Sequence, residues 1–329
     1  MTKREPKTQN QSLRSKSDAR MCRDLRESGF GIGDLGFGRW DLHSAIIDRM
    51  LHRQRTGSVI CSSCGVLVGV NDDKCYNCGR RNPGMWGYAA AFRSLGRDLG
   101  FVPFVMGTCG IVYVLTLIAS RGAIGGGGLS LLSPSPTALL IFGESGAVPV
   151  FVFGRWWTVL SAAWLHANLL HIAFNMMAVR QLAPPTADLY GPGRTVIIYT
   201  AGSIAGFALS SFAGAFIPGL PFLRGSSFTV GASASIAGLI GALLYYGQRS
   251  GSGIVRAEAM RWVVALVVWG FLPLGIDNYA HAGGFGGGYL AAMLLDPLKP
   301  ERGDHILIAL ICLGLSISSI VASVVTAIF

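Results

Sequence analysis

Three short stretches of the chain combine a nucleophile, a base and amide donors. They are Leu165-His166-Ala-Asn-Leu-Leu-His171-Ile-Ala-Phe-Asn175, Val230-Gly231-Ala-Ser233-Ala-Ser235, and Asp277-Asn-Tyr-Ala-His281-Ala-Gly-Gly284, which runs on to Gly288. All three sit in strongly apolar sequence, where polar and ionisable side chains are costly and mark function by default. The chemistry open to them is acyl transfer. A serine hydroxyl becomes nucleophilic at neutral pH only when a base takes its proton. His281 can be that base for Ser233. Below Ser233 lie Gly238 and Gly241, and below His281 lie Gly284 and Gly288. Small residues let two membrane helices approach closely, as a Ser–His hydrogen bond of about 2.6–3.2 Å requires. His171 and Asn175 are four apart and share a helix face. With the Ser233 backbone N–H they can donate to a developing oxyanion.

Each of these residues also has a plainer use. Ser233 alone would read as a helix N-cap. Ser235, two positions on, points to a different helix face. Asp277 reads as the N-cap of the helix that carries His281 rather than as a third catalytic member. His166 reads as structural, and His305 opens the last apolar segment at the wrong end for catalysis.

The elements that must position these groups follow from composition. Of 329 residues, 51% are hydrophobic and 13% charged, against about 25% charged in soluble domains. That excludes a single soluble domain, and it excludes disorder. Residues 1–100 hold 17 Lys/Arg and 10 Asp/Glu, net +7; residues 101–329 hold 10 and 7, net +3. A basic soluble segment therefore precedes a membrane domain. Seven apolar segments are expected at about 101–119, 166–182, 194–214, 233–248, 260–275, 279–296 and 305–329. Several fall short of the roughly 20 residues that span a bilayer, which suggests helices around a wet cavity.

The first thirty residues are charged throughout, without an apolar run, so no secretory signal is expected and the N-terminus is placed in the cytosol. Inner loops then hold Arg180, Arg194, Arg249, Arg256, Arg261, Lys299 and Arg302, and outer loops Arg121, Arg155 and Arg224. This asymmetry fits the positive-inside rule and puts the C-terminus outside. The second, fourth and sixth segments all begin on the outer side, so the three polar stretches share one membrane depth. The long connection over 120–165, with Gly125–Gly128, is also outside. The net charge of +10 suits anionic lipid, and no nucleic-acid partner is expected.

The N-terminal part divides into a basic, largely disordered arm over 1–56 with an amphipathic pattern at Asp41–Arg55, and a compact module over 57–84. The module carries Cys61-Ser-Ser-Cys64 and Cys75-Tyr-Asn-Cys78, each pair followed by Gly (Gly65 and Gly79). A C-x2-C step brings two thiolates to one metal, and two steps complete a tetrahedral zinc site with no open position, hence structural. Disulfides or a redox pair are the alternative, disfavoured in the cytosol. His43 and His52 are not needed as ligands. Cys22 reads as a free thiol, and Cys109 and Cys312 as packing residues.

These residues resemble the rhomboid family of intramembrane serine proteases over about 101–297, with a zinc-ribbon-like module ahead. The likeness lies in Trp156-Trp157, His166, His171-x3-Asn175, Gly191, Tyr199, Gly231-x-Ser233 and His281-x2-Gly284-x3-Gly288. The implied fold is an all-α polytopic membrane protein, a bundle of about seven transmembrane helices. It has a six-helix core over 98–297, an additional C-terminal helix over 304–329, and a small zinc ribbon. The resemblance implies Ser233 as nucleophile and His281 as general base, with His171, Asn175 and the Ser233 amide as oxyanion hole. No catalytic cofactor is implied. The implied substrates are single-span membrane proteins in a bacterial-type plasma membrane, and the ribbon offers a surface for a cytosolic partner. The chain departs from the family pattern at Thr158, where Arg is common, at Ala234, where Gly is usual, and at Ala237, where many members carry an aromatic residue.

Overall fold

The computed structural model describes residues 53–61, 64–88, 98–217, 219, 224–272 and 275–328. The basic arm up to residue 52, with most of the amphipathic pattern at 41–55 and with Cys22, His43 and His52, lies outside them.

The cysteine module is built on a hairpin of β1 (Ser58–Ile60) and β2 (Leu67–Gly69), antiparallel with Val59 opposite Val68. Its two knuckles repeat one geometry. The Gly65 N–H bonds the Cys61 carbonyl at 3.0 Å, and the Gly79 N–H bonds the Cys75 carbonyl at 2.9 Å. Both glycines have φ above +70°, a conformation that side chains disfavour. Val59, Val68 and Val70 bury with Cys61 and Cys75 into a small separate core.

The rest is helical. Each expected apolar segment holds one long helix: α1 (Phe101–Ala119), α4 (Leu169–Tyr190), α5 (Pro192–Phe216), α6 (Ser233–Ser250), α7 (Gly253–Gly270), α8 (Asn278–Leu295) and α9 (Gly303–Ile328). Short α2 (Pro136–Phe142) and α3 (Thr158–Ser161) lie between α1 and α4. The N-caps are local. Asn168, Ser252 and Asp277 accept from the N–H of His171, Val255 and Ala280, satisfying donors that a helix start leaves open. By length and composition α1, α5 and α9 can cross a membrane. Two boundaries differ from the sequence expectation. α4 continues through Pro184 and Pro185 to Tyr190, because neighbouring helices can support backbone that proline leaves unpaired. α7 starts at Gly253, since the Ser252 cap initiates it before its apolar run begins.

The central helix is α6, with Ala234–Leu243 buried without a break, as expected of a helix apolar all round. Glycines let α5 and α8 close on it. A Cβ added to Gly284 would lie 2.1 Å from the Ala234 carbonyl oxygen, and one on Gly288 would lie 2.2 Å from that of Gly238. These pairs advance together by four residues, so α6 and α8 run parallel in register. On α5, a Cβ at Gly206 would lie 2.5 Å from the Ala280 carbonyl and 2.7 Å from the Ala234 methyl.

The connection over 120–165 is more ordered than its length suggests. Residues 145–148 pair with 226–229 through Ser145 N–H to Thr229 (3.1 Å), Thr229 N–H to Ser145 (2.8 Å) and Ala147 N–H to Ser226 (2.9 Å). The far end of α9 holds the same connection, with Trp157 Nε1 donating to Ser323 Oγ (3.1 Å) and Arg155 Nη2 to the Thr326 carbonyl (2.9 Å).

Arg194, counted above as a loop cation, is 2% exposed. It donates to His305 Nδ1 (3.1 Å) and to the carbonyls of Lys299 (2.8 Å) and Pro300 (2.7 Å). Its N–H donates to Glu301 Oε1 (2.9 Å). This socket fastens the start of α9 to α5 at the end of the bundle away from Ser233, and His305 belongs to it.

Candidate active site

Ser233 is the first residue of α6, and Ala232 occupies the N-cap without a side-chain bond. The serine is half-buried. As a first-turn residue, its N–H has no intrahelical acceptor and sits at the positive end of the helix dipole. Gly231 approaches it at φ +127°, anchored by its N–H to the Ala162 carbonyl (2.9 Å). A Cβ at Gly231 would lie 2.6 Å from both Cε1 and Nε2 of His171. Position 231 thus needs glycine twice, for backbone angle and for space.

That contact fixes the edge of His171 against the turn that leads into Ser233. The ring's Nδ1 accepts from the Ala167 N–H at 3.4 Å, so in the neutral ring Nε2 carries the proton and turns it towards Gly231. Asn175, one turn along α4 and 5% exposed, donates Nδ2 to the His171 carbonyl at 2.8 Å. One amide hydrogen remains for another acceptor.

His281 is 9% exposed, in the first turn of α8. In the α6–α8 register it stands one turn before the Gly284–Ala234 contact, at the level of the Gly231–Ser233 turn. It lies within electrostatic reach of His171. Its Nδ1 is buried without a hydrogen-bond partner among the described residues. Four groups from three helices thus gather at one end of the bundle.

Ser235 turns away. Its hydroxyl is fully buried against Tyr199 without a hydrogen bond of ordinary geometry. His166 is fully buried with neither ring nitrogen in a hydrogen bond of ordinary geometry among the described residues, its ring 5.2 Å from that of His171. The three departures from the family pattern fit locally. Ala234 packs opposite Gly206, Ala237 is fully buried, and Thr158 donates its hydroxyl to the Arg155 carbonyl (2.8 Å), with Ser145 Oγ 3.2 Å from the same hydroxyl oxygen. Sequence reasoning did not find the Gly202/Gly206 face of α5. Its signal, two glycines about one helical turn apart, is the one already read on α6 and α8.

The four cysteines form a separate cluster, with Sγ atoms all within 4.8 Å of one another. Cys61 and Cys78 are 3.8 Å apart, and Cys64 and Cys75 3.5 Å. Tetrahedral Zn–S bonds of about 2.3 Å imply S···S of about 3.8 Å, whereas a disulfide needs about 2.05 Å. The four sulfurs therefore suit a metal ion.

Ser233 and His281 thus stand at the same end of two parallel, glycine-packed helices in a bundle of apolar helices. Residues 153–297 match the Rhomboid domain family. The chain is similar to the rhomboid protease GluP of Bacillus subtilis, with 32% identity over 172 residues, 50% of this chain and 31% of that protein. It is also similar to RHOMBOID-like protein 4 of Arabidopsis thaliana, with 30% identity over 182 residues, 53% of this chain and 42% of that protein. Inactive RHOMBOID-like protein 8 of the same plant shares 31% identity over 134 residues, 39% and 35% of the two chains. The match spans about a third to two fifths of the length of these relatives.

Proposed function

We propose that the protein is an intramembrane serine endopeptidase that cuts transmembrane segments of single-span membrane proteins. The observation that supports this reading best is the in-register approach of α6 and α8, with His281 at the level of the Gly231–Ser233 turn and the His171 ring against Gly231. In the reaction, His281 takes the proton of Ser233 Oγ as that oxygen bonds to the scissile carbonyl carbon. The carbonyl oxygen becomes an oxyanion held by the Ser233 N–H, His171 Nε2–H and the remaining Asn175 N–H. The tetrahedral species collapses, the C–N bond breaks, and His281 returns the proton to the leaving amine. Water, activated by His281, then hydrolyses the acyl ester and restores Ser233.

In the same reading the N-terminus is cytosolic, the C-terminus outside, and seven helices cross a bacterial-type plasma membrane. Cys61, Cys64, Cys75 and Cys78 hold a zinc ion that fixes the fold of the ribbon, and no catalytic cofactor is used. The ribbon is a docking surface for a cytosolic partner. The likeness to a relative named as inactive supports a second reading, a rhomboid-like protein that grips transmembrane helices without cutting them.

Cleavage of a single-span reporter by the purified protein in detergent separates the two. We expect cutting that survives Ser235→Ala and vanishes with Ser233→Ala. Folded protein that cuts in no form would favour the binding reading.

A further inference from the structure

Asp277 uses both carboxylate oxygens. Oδ1 accepts from the Ala280 N–H at 2.9 Å and caps α8. The Asp277 carbonyl accepts the N–H of His281 at 3.1 Å. Oδ2 accepts from the hydroxyl of Ser210, a fully buried residue of α5. The same hydroxyl oxygen accepts from the Ser226 N–H at 3.3 Å. Ser226 belongs to the segment that leads into Ser233.

That segment is held from two sides. A Cβ at Gly225 would lie 2.0 Å from the Gly214 nitrogen and 2.6 Å from the Ser210 carbonyl, so the chain presses directly on α5. On its other side it pairs with residues 145–148. Between the segment and the start of α8, Ser210 is a polar joint. A carboxylate only accepts, so the order of donors is fixed: Ser226 N–H to Ser210, and Ser210 O–H to Asp277.

We infer that Asp277 and Ser210 are positioning residues, and that the Asp277–Ser210–Ser226 relay sets the general-base helix against the segment that presents the nucleophile. The inference rests on the reading of Ser233 and His281 as the reacting pair. Asp277 does not act as a third catalytic member, because both oxygens are committed elsewhere and neither bonds the His281 ring. The relay ties together two elements that sequence separates by some fifty residues. Misplacing reacting groups by about 1 Å costs about 10²-fold in rate. Asparagine at 277 would keep the cap through its carbonyl oxygen but turn an N–H towards Ser210, stranding the serine's own hydrogen. Alanine at 210 would keep the cap and remove the joint.

The test compares wild type, Ser210→Ala, Asp277→Asn and the double variant in two measurements. The first is cleavage of the single-span reporter, with Ser233→Ala as the blank. We expect each single variant to lower kcat by about 10- to 100-fold with KM within about twofold, and the double variant to lose no more than the worse single. Wild-type kcat in both single variants, or losses that multiply, would overturn the inference. The second is hydrogen exchange of peptides covering 224–232. Asp277→Asn, a change on another element, should speed exchange there as Ser210→Ala does, and unchanged exchange would overturn the relay. Should the wild type cut no better than Ser233→Ala, the protease reading falls, and the exchange result decides the relay by itself.

Discussion

At the scale of single residues, the proposed reaction divides the site between groups that react and groups that steady them. Ser233 begins a helix, so its N–H is open and its hydroxyl lies at the helix's positive end. Asn175 spends one amide hydrogen on the His171 carbonyl, which leaves one for the oxyanion of the proposed reaction. Asn175→Ala should therefore lower kcat by about 10²–10³ with little change in KM, measured on the reporter. Another residue-scale test lies in Glu144, in the connection between α2 and α3. Burial pushes its carboxyl up to about 7. A raised carboxylate pKa means that the folded state holds the proton more tightly than the unfolded chain. The stability tied to this group is whole below the ordinary glutamate pKa and is lost as pH rises through about 7. Melting temperatures between pH 4.5 and 8 should fall for the wild type and fall less for Glu144→Gln, which stays neutral.

At the scale of elements, the site depends on how closely α5, α6 and α8 meet. The Cβ that Ala would add at Gly288 lies 2.2 Å from a backbone oxygen, which no rotamer can relieve. Gly286, on the same helix, has nothing within 4 Å. We expect Gly288→Ala to destabilise by about 1–3 kcal/mol and to lower cleavage, with Gly286→Ala near neutral, as read by thermal unfolding. The glycines at 238, 241, 284 and 288 were legible in the sequence because their spacing matches the helix period, and so were the positions of Ser233, His281, His171 and Asn175. Other parts were not legible. The burial of Arg194 rests on carbonyls more than a hundred residues away, and a backbone acceptor leaves no mark in sequence. The pairing of 145–148 with 226–229 is also backbone to backbone, so composition marked only a long Gly-containing connection. Asp277 read as a cap, which it is; its second oxygen meets Ser210 only because α5 crosses α8 at Gly206.

At the scale of the whole molecule, two structures share one chain. The ribbon has its own small core, and its four sulfurs are spaced for a tetrahedral ion. We expect one zinc per chain by elemental analysis, lost when Cys61 and Cys64 are both changed to Ser. Because the ribbon's core is separate from the bundle's, removal of residues 1–84 should leave reporter cleavage in detergent within about twofold of the full chain. A larger loss would mean that the ribbon supports catalysis directly. The bundle is fastened at both ends of α9, by Arg194 at one and by Trp157 and Arg155 at the other, so this last helix braces the connection that flanks the site.

The most direct test of the central claim, that His281 activates Ser233, is covalent labelling with a fluorophosphonate, mapped by mass spectrometry of peptides. The account predicts one adduct, on Ser233, absent from Ser233→Ala and strongly reduced in His281→Ala, while Ser235→Ala labels like the wild type. An adduct on Ser235, or labelling of Ser233 that is indifferent to His281, would contradict it.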